Sequence, residues 1–419
     1  MYCTQSTRPQ QALPRHRPAL HADVTVIGAG PAGALLAYLL ATHGLQVVLV
    51  EKESLPRVKP CGGGLNWKTV TLLPFAIDAV VERVVSRVLF TQHLRQPFTR
   101  TASQPLVTLV TRSIFDHLLV QKAAAAGAHV YDACHITRME AHPHGIAIQG
   151  TGLSWHSRYV AFADGAKGIL RRQLGFAASA PHDMGLDMDV EAAPACPWTP
   201  ETLYLDWGTT AQTYAWAFPK ADHWSIGVKG PAAHGPLLAQ YLRQFMQHWR
   251  LPVPPGKLRY LAHMLPTRVP GTPLVHGRAC VVGDAAGLLE PFTGEGIYYA
   301  LRSAHLAAEA LIAASVHDTS PVAYGTAVDA EIMPDLLGAR ALQQVFDAWP
   351  GLFHLLVQRH GRSWNALAKL LRGERGFREV AQVLRRHPFL VRAILATGHH
   401  PAPSPVQRGH RHKTDALDD

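Results

Sequence analysis

Cys61 lies in the stretch KPCGGGL, residues 59–65, between a proline and three consecutive glycines. Glycine lets the backbone adopt positive φ angles or approach a ligand closely, and the proline fixes how the chain enters the turn. A thiol carries its proton at neutral pH in ordinary surroundings, so Cys61 could protonate a bound reactant. The sulfur could instead be a contact that orients the reactant, or a small buried filler. The stretch predicts a loop that faces a flat or bulky ligand, with room left by Gly62, Gly63 and Gly64.

The stretch GAGPAG, which begins at Gly28, has the spacing of a dinucleotide-binding turn. A strand-like apolar run precedes it, a helical run follows it, and Glu51 ends the next apolar run. In this context the glycines permit the tight bend, the approach of a pyrophosphate and close helix packing. The helix N-terminus offers free N–H groups, and Glu51 can bind a ribose diol, which favours FAD or NAD over NADP. The predicted cofactor-binding residues here are Gly28, Gly30, Pro31, Ala32, Gly33, Glu51 and Lys52.

A second glycine-rich stretch, VVGDAAGLLEPFTGEGIYYAL, spans residues 281–301. Asp284 follows an apolar strand and is placed to bind the hydroxyls of a sugar alcohol. A helix is predicted to begin near Gly294, and its N-terminus would stabilise the negative charge that a reduced flavin develops. The stretch adds Pro291 to the predicted substrate-binding residues. It also adds further predicted cofactor residues, which are Gly283, Asp284, Gly294, Gly296 and Ile297.

Two shorter stretches place polar groups at turns. FADGAKGILRR, residues 162–172, has Asp164 and Gly165 at the end of a strand, and TRSIFDHLL opens a helix with Arg112. Taken singly, both fit ordinary turn or cap chemistry.

Together and in this order, the four stretches resemble the FAD-dependent monooxygenase-like (p-hydroxybenzoate hydroxylase-type) flavoprotein superfamily over about residues 22–310. PCGGGL followed by YAWAFP at residues 214–219 resembles the geranylgeranyl reductase family within it, which reduces isolated alkenes of polyprenyl chains with FAD. The resemblance implies that Asp164-Gly165 lies beside the FAD pyrophosphate and that Asp284 meets the ribityl chain. It also implies cofactor contacts for Arg112, Cys61, Gly62 and Gly63.

The YAWAFP stretch places aromatic residues at alternate positions of a predicted strand, so Tyr214, Trp216 and Phe218 share one face. An aromatic stripe in the core would give the same pattern. The resemblance implies instead that these side chains, with Gly63 and Gly64, form the wall of the substrate cavity against the flavin. The predicted catalytic residues are Cys61, Tyr214 and Trp216.

Reduction of an isolated C=C bond requires a strong hydride donor held at one carbon and a proton for the other. The resemblance implies that reduced flavin N5 supplies the hydride, while the protein supplies position and electrostatics. No second GxGxxG-type domain is evident, so we expect electrons from transiently bound NAD(P)H or from reduced ferredoxin. Two other functions stay open: a flavin-dependent monooxygenase or halogenase on the same fold, and a non-catalytic prenyl-binding escort protein.

The composition favours a globular protein with anionic partners. Hydrophobic residues make up 47% of the 419 residues, charged residues make up 17%, and the net charge is +10 without the 25 histidines. Such a charge attracts diphosphates or an acidic membrane surface. No basic run with interleaved aromatics occurs, so nucleic acid is not an expected partner. The five cysteines are odd in number and widely spaced, which predicts no disulfide framework or metal site and a reducing, cytoplasmic compartment.

The expected substrate is a prenyl-chain lipid, carried as a diphosphate or as a tetrapyrrole or quinone ester. Phe377, Val380 and Leu384 fall on one face of a predicted C-terminal helix, with arginines at 385, 386 and 392 nearby. Packing with a solvated basic face fits this pattern, and so does peripheral docking at the inner membrane surface. No oligomeric state is predicted.

The order of predicted strands and helices along the chain indicates an α/β protein (α+β overall). A Rossmann-like FAD-binding domain with a mixed parallel sheet is followed by an antiparallel-sheet substrate domain and a helical C-terminal region. The predicted boundaries are a disordered basic leader over 1–21, the FAD-binding domain over 22–180 and 272–316, the substrate domain over 181–271, the helical region over 317–397 and a disordered tail over 398–419.

Overall fold

The computed structural model describes residues 21–177, 181–191, 198–208, 210, 212–251 and 259–386. The predicted leader except for its last residue, the predicted tail and Arg392 lie outside the described residues, as do Cys3 and Cys196.

Eighteen strands are present in the described residues. They are β1 (His21–Ile27), β2 (Val47–Val50), β3 (Gly64–Leu65), β4 (Val81–Val85), β5 (Arg87–Gln92), β6 (Arg95–Thr101), β7 (Val107–Val110), β8 (His129–Tyr131), β9 (Ile136–His142), β10 (Gly145–Gly150), β11 (Leu153–Phe162), β12 (Pro181–Glu191), β13 (Thr202–Trp207), β14 (Tyr214–Pro219), β15 (His223–Pro231), β16 (Leu261–Pro266), β17 (Val275–His276) and β18 (Ala279–Val281).

Ten α-helices are present in the same part of the chain. They are α1 (Pro31–Thr42), α2 (Trp67–Thr71), α3 (Arg112–Ala125), α4 (Gly235–His248), α5 (Ile297–His317), α6 (Ala323–Glu331), α7 (Met333–Ala348), α8 (Pro350–Arg359), α9 (Gly361–Arg372) and α10 (Phe377–Arg386).

The first sheet has a parallel centre in the order β18-β11-β1-β2-β8, and β17, β10 and β9 add antiparallel strands. Its central strand β2 is wholly apolar and buried, and so is the end of β1 at Val26 and Ile27, as expected for a sheet covered on both faces. α1 packs between α3 and α5. This mixed sheet confirms the predicted Rossmann-like domain.

The second sheet runs β16-β12-β15-β14-β13-β5-β6 and is antiparallel except where β13 pairs with β5. Along β14, Ala215 and Ala217 face a core formed with α4, whereas Tyr214, Trp216 and Phe218 point to the opposite face. The sheet therefore has one face packed on a helix and one face available to a ligand.

Residues 87–101, which form β5 and β6, belong to this second sheet and not to the domain predicted to span 22–180. β5 pairs in register with β13, so that Leu203 lies opposite Val88 and Leu205 lies opposite Phe90. The alternating pattern of a strand predicts that it pairs, but it does not identify a partner that is more than 100 residues away in the chain.

A small sheet in the order β3-β7-β4 carries the cysteine-glycine loop. The backbone N–H of Val110 donates to the carbonyl of Gly63, and Gly64 pairs with Leu109. The loop is thereby fixed beside the start of α3.

Helices α6 to α10 follow the long helix α5, in agreement with the predicted helical C-terminal region. α10 packs against α7 and buries Phe377, whose ring lies against Phe292. No helix in the described ranges has the length and apolarity needed to cross a membrane.

Candidate active site

A cavity of about 930 Å³ separates the first sheet from the free face of the second sheet. The glycine-rich turn after β1 and the loop before β3 line one side, β12 to β14 line another, and α7, α9 and α10 close the far end. Strand ends, a sheet face and helices from all three parts of the chain therefore meet around one space.

The turn after β1 requires glycine for backbone reasons. Gly28 has φ +104°, and a Cβ atom there would overlap the carbonyl oxygen of Ala163. A Cβ at Gly33 would overlap the carbonyl oxygen of Gly28, so this glycine allows α1 to pack on the turn. Pro31 is the first residue of α1, and the helix N-terminus faces the cavity. This geometry suits a bound pyrophosphate.

A chain of charged side chains connects the end of β2 to α3. The Glu51 carboxylate accepts hydrogen bonds from the backbone N–H of Ala29 at 2.9 Å and from Arg57 Nε at 3.2 Å. Arg57 Nη1 also donates to Asp116 at 3.2 Å, and Asp116 accepts two hydrogen bonds from Arg112 at 2.8 Å. Arg57 and Asp116 were not among the predicted site residues, because no glycine motif marks them.

Arg112 lies at the centre of this charged group and next to the cysteine loop. Burial disfavours its charge, but Asp116 and the neighbouring Cys61 outweigh that cost and raise the pKa of Arg112. Arg112 therefore stays cationic inside the cavity wall.

Asp164 lies two residues after the end of β11 and next to Arg171, whose Nη1 donates to Asp164 Oδ1 at 3.2 Å. Burial raises the pKa of Asp164 to about 6, although Arg171 opposes the shift. The other oxygen, Oδ2, is buried and has no hydrogen-bond partner within the described structure. An unpaired buried polar atom beside a glycine turn fits a site that is completed by a polar ligand.

Asp284 is joined to two side chains that the sequence did not suggest. His263 Nε2 lies 3.2 Å from Asp284 Oδ2, and Lys59 Nζ lies 3.2 Å from His263 Nδ1. Burial alone would raise the pKa of Asp284, but His263, Lys59 and Arg112 together hold it below its ordinary value. Burial lowers the pKa of both Lys59 and His263. Asp284, His263 and Lys59 together form a polar end of the cavity.

The glycines of the cysteine loop are required by close contacts with protein. A Cβ at Gly62 would lie 2.8 Å from Cδ2 of Phe218 and 3.1 Å from Nε1 of Trp216. Gly63 has φ +66°, and a Cβ there would overlap the carbonyl oxygen of Val110. The sequence predicted that these glycines leave room for a ligand, whereas in the structure they let the loop pack against β7 and β14.

Lys220, which directly follows β14, holds this loop in place through hydrogen bonds to backbone carbonyls. Its Nζ donates to the carbonyls of Gly62 at 2.7 Å and Val110 at 2.8 Å, and burial lowers its pKa to about 8. Cys61 Sγ accepts a hydrogen bond from the Gly63 N–H at 3.3 Å. The lysine directly follows the YAWAFP stretch, but its partners are more than 100 residues away, so local sequence gave no signal for this role.

The aromatic face of β14 continues onto its neighbours. Trp216 lies opposite Gly227 of β15, and a Cβ at Gly227 would overlap the indole ring. Asp187 of β12 lies on the other side of Gly227 and shares this face. Gly227 therefore leaves space for the Trp216 ring, which lies between the polar Asp187 on one side and the apolar residues of β13 on the other.

Asp187 is a buried carboxylic acid that the sequence analysis did not identify. Its Oδ1 accepts a hydrogen bond from the Ser225 hydroxyl at 3.2 Å, while Oδ2 is buried without a partner in the described structure. Burial, and then the neighbouring Asp189, raises the pKa of Asp187 to about 7. A carboxyl group that lines the cavity can therefore carry a proton near neutral pH.

The part of the cavity beyond Phe218, which we call the apolar arm, runs between the second sheet and the C-terminal helices. Its walls are apolar, and they consist of Val88, Phe90, Val107, Leu203, Leu205, Trp207, Phe346, Leu367, Leu370 and Leu371. Gln212, Gln343 and Asp347 are the polar residues that line the cavity near these helices.

The cavity brings together most of the predicted site residues. Those that line it are Gly28, Gly30, Pro31, Ala32, Glu51, Lys52, Cys61, Gly62, Gly63, Gly64, Arg112, Asp164, Gly165, Tyr214, Trp216, Phe218, Asp284, Gly294, Gly296 and Ile297. Gly33, Gly283 and Pro291 lie behind the lining. The backbone N–H of Gly283 donates to Ser303 Oγ, and the Pro291 carbonyl accepts a hydrogen bond from Lys229.

An FAD binding domain family matches residues 21–209 of the chain. An uncharacterised protein of Methanosarcina barkeri is 30% identical over 300 residues, which cover 69% of this chain and 74% of that protein. The chloroplastic geranylgeranyl diphosphate reductase of Oryza sativa subsp. japonica is 28% identical over 345 residues, covering 75% of this chain and 72% of the rice protein.

Two solved structures share the fold. A geranylgeranyl bacteriochlorophyll reductase-like protein of Thermoplasma acidophilum superimposes with a TM-score of 0.71 at 20% identity, over 87% of this chain and 99% of its own. A flavin-dependent brominase superimposes with a TM-score of 0.69 at 20% identity, over 88% of this chain and 100% of its own. At these sequence identities, both structural similarities are evidence for a shared fold alone.

Proposed function

The chain belongs to the geranylgeranyl reductase family of FAD-dependent oxidoreductases, and we propose that it saturates isolated double bonds of a polyprenyl chain. The observation that carries this proposal is the apolar arm, which leads from the aromatic face of β14 to the C-terminal helices. An extended hydrocarbon chain fits such a space, since apolar walls bury it and keep water away from the reacting bond.

FAD fits the polar part of the cavity. The turn after β1 would hold its pyrophosphate, Glu51 its adenosine ribose, and Asp284 its ribityl chain. The unpaired Oδ2 of Asp164 supports this assignment because a cofactor would offer it a partner. When bound and reduced, FAD supplies the hydride for the alkene. NAD(P)H or reduced ferredoxin is the proposed electron donor.

The second hydrogen must arrive as a proton, and we propose Asp187 as its source. Its Oδ2 is buried in the wall without a partner, and its pKa of about 7 keeps much of it protonated at neutral pH. Cys61 is the other candidate, as the sequence analysis proposed. Its sulfur accepts the Gly63 N–H and lies against the Arg112 guanidinium, an arrangement that suits a positioning contact better than a proton donor.

The lining near the apolar arm offers polar partners for a head group. The polar residues there are Gln212, Gln343 and Asp347, and Lys68 also lines the cavity and lies against Gly373 at the end of α9. Lys68 gives an anionic head group a cationic partner at that end. We propose a prenyl-chain substrate, carried either as a diphosphate or on a lipid or pigment head.

The test is anaerobic turnover of the FAD-loaded protein with dithionite as reductant. Geranylgeraniol, geranylgeranyl diphosphate and a prenylated quinone serve as substrates, and mass spectrometry detects the gain of two hydrogens for each saturated bond. Saturation without oxygen supports the proposal. Strict dependence on oxygen with an added oxygen or halogen atom would show the monooxygenase or halogenase alternative, and prenyl binding without any turnover would show the escort alternative.

A further inference from the structure

Helix α8 presents an apolar face to the outside of the molecule. Leu352, Leu355 and Leu356 are 47%, 39% and 38% exposed, and Trp349 at the start of the helix is 37% exposed. Positions i, i+3 and i+4 lie on one side of a helix, so the three leucines form a continuous face. We call these four residues the α8 face.

The other side of α8 is firmly packed. His354 and Val357 are buried, and His354 Nε2 lies 2.9 Å from the Gln96 carbonyl of β6. Trp207 Nε1 donates to His354 Nδ1 at 2.9 Å. Helix α8 is therefore held in place by β6 and β13, and its leucines are exposed even though the helix itself is well packed.

Helices α8 and α9 carry basic residues and no acidic ones, and the nearest acids along the chain are Asp347 and Glu374. Residues 348–373 contain no aspartate or glutamate. Arg359, Arg362 and Lys369 are exposed, and no ion pair joins any of them to another side chain in the described part of the chain. An exposed leucine face, on a pair of helices that carries exposed unpaired cations and no acid, complements a surface that is apolar inside and anionic outside.

The α8 face adjoins the apolar arm. α9 follows α8 directly and lines the arm with Leu367, Leu370 and Leu371. α7 precedes α8 and lines the cavity with Phe346 and Gln343. A hydrocarbon chain that leaves a bilayer at the α8 face would therefore meet the helices that close the arm.

We propose that the α8 face docks the protein onto an anionic lipid bilayer, with its leucines inserted below the head groups and its cations at the lipid phosphates. No helix in the described ranges could cross the bilayer, so the contact is a peripheral one. The docking itself follows from α8 and α9 alone; its purpose, delivery of a membrane-embedded prenyl chain, rests on the proposed function.

Flotation with lipid vesicles tests the docking without turnover. The FAD-loaded full chain is mixed with phosphatidylcholine vesicles and with vesicles that contain roughly a third phosphatidylglycerol. We expect binding to the anionic vesicles, weaker binding to the neutral ones and loss of binding at high salt. The double variant Leu352→Glu/Leu355→Glu should bind about tenfold less, because charged side chains resist insertion.

Leu237→Glu is the matched control, because Leu237 is 44% exposed on α4, in another part of the molecule. It should bind the anionic vesicles as the unsubstituted protein does. Equal binding of the double variant would overturn the proposal, and so would absence of binding by the unsubstituted protein. Light scattering that shows a dimer, which the double variant dissolves, together with no vesicle binding, would overturn it in favour of a contact between two copies.

Turnover separates this proposal from the proposed function. The double variant should reduce a detergent-solubilised prenyl alcohol normally and lose activity only on substrate embedded in vesicles. Absence of turnover on either substrate by the unsubstituted protein, with vesicle binding intact, would contradict the reductase function and leave the docking standing.

Discussion

At the scale of single residues, the protein places a carboxyl group and a thiol in different surroundings around one cavity. Asp187 Oδ2 is buried and unpaired within the described structure, whereas Cys61 Sγ is engaged by the Gly63 N–H and lies beside Arg112. Unpaired buried polar atoms are rare because they cost free energy, so those at Asp164 and Asp187 indicate where ligands complete the structure. Asp164 faces the predicted cofactor and Asp187 the predicted substrate.

Asp187→Asn should lower kcat for alkene reduction about 100-fold, the usual contribution of a positioned general acid. Burial raises the pKa of Asp187 to about 7, so its proton-carrying form prevails below that pH and is lost above it. We therefore expect kcat of the unsubstituted protein to fall as the pH rises through about 7, and this dependence should vanish in the variant. Stopped-flow oxidation of reduced flavin under anaerobic conditions measures both effects.

Cys61→Ser is the companion variant. It should keep the order of magnitude of kcat and the same pH dependence, while weakening substrate or FAD binding. A pH-independent loss of kcat in Cys61→Ser, with a normal Asp187→Asn protein, would make the thiol the proton donor instead.

At the scale of elements, the second sheet serves the site because its two faces differ. Alternate residues of β14 pack on α4 or face the cavity, and Gly227 of β15 makes room for the Trp216 ring. The face thus changes from a polar end at Asp187, the proposed proton donor, to an apolar end at Phe90 and Leu205, where a hydrocarbon would lie.

Gly227→Ala should destabilise the protein by about 2 kcal/mol or more, because the new methyl group overlaps the Trp216 ring and the Leu186 carbonyl. The midpoint of thermal unfolding, followed by circular dichroism, measures the loss. Gly325→Ala in α6 is the control: its Cβ meets no atom within 4 Å. There the gain in helix propensity should stabilise the protein by about 0.5–1 kcal/mol. Equal stability of both variants would contradict the packing described for Trp216.

At the scale of the whole molecule, the cavity exists only because three parts of the chain enclose it. The first sheet supplies the cofactor turn, the second supplies the aromatic face, and α7, α9 and α10 close the apolar arm. On the proposed function, this division would let the helices select the length of the prenyl chain, away from the reacting bond.

Leu370→Trp should shorten the apolar arm and so exclude long prenyl chains. We expect the KM for a geranylgeranyl substrate to rise about tenfold while a geranyl substrate is reduced nearly as before. Ala366→Trp is the control, because Ala366 is exposed on the same helix and does not line the cavity. Steady-state kinetics measure the KM of each variant for the two chain lengths. An equal effect of Leu370→Trp on both lengths would contradict the placement of the prenyl chain in the apolar arm.

Features that depend on local backbone chemistry could be predicted from the sequence. The glycine turn after β1, the position of Glu51 at the end of β2 and the alternation of Tyr214, Trp216 and Phe218 were predictable, because strand and helix periods and glycine conformations act over a few residues. The same motifs predicted the family and FAD, and both predictions are confirmed. The electron donor and the roles of the individual site residues stay predictions.

Only the tertiary structure decided which distant groups meet. β5 joins the second sheet through β13, Lys220 fixes the loop at Gly62, and His263 connects Lys59 to Asp284. Each of these contacts links segments that are far apart in the chain, and the local sequence pattern of one segment does not identify the segment with which it pairs. The free energy that selects them comes from burying apolar surface and pairing buried polar groups across the whole fold, which no short stretch of sequence contains.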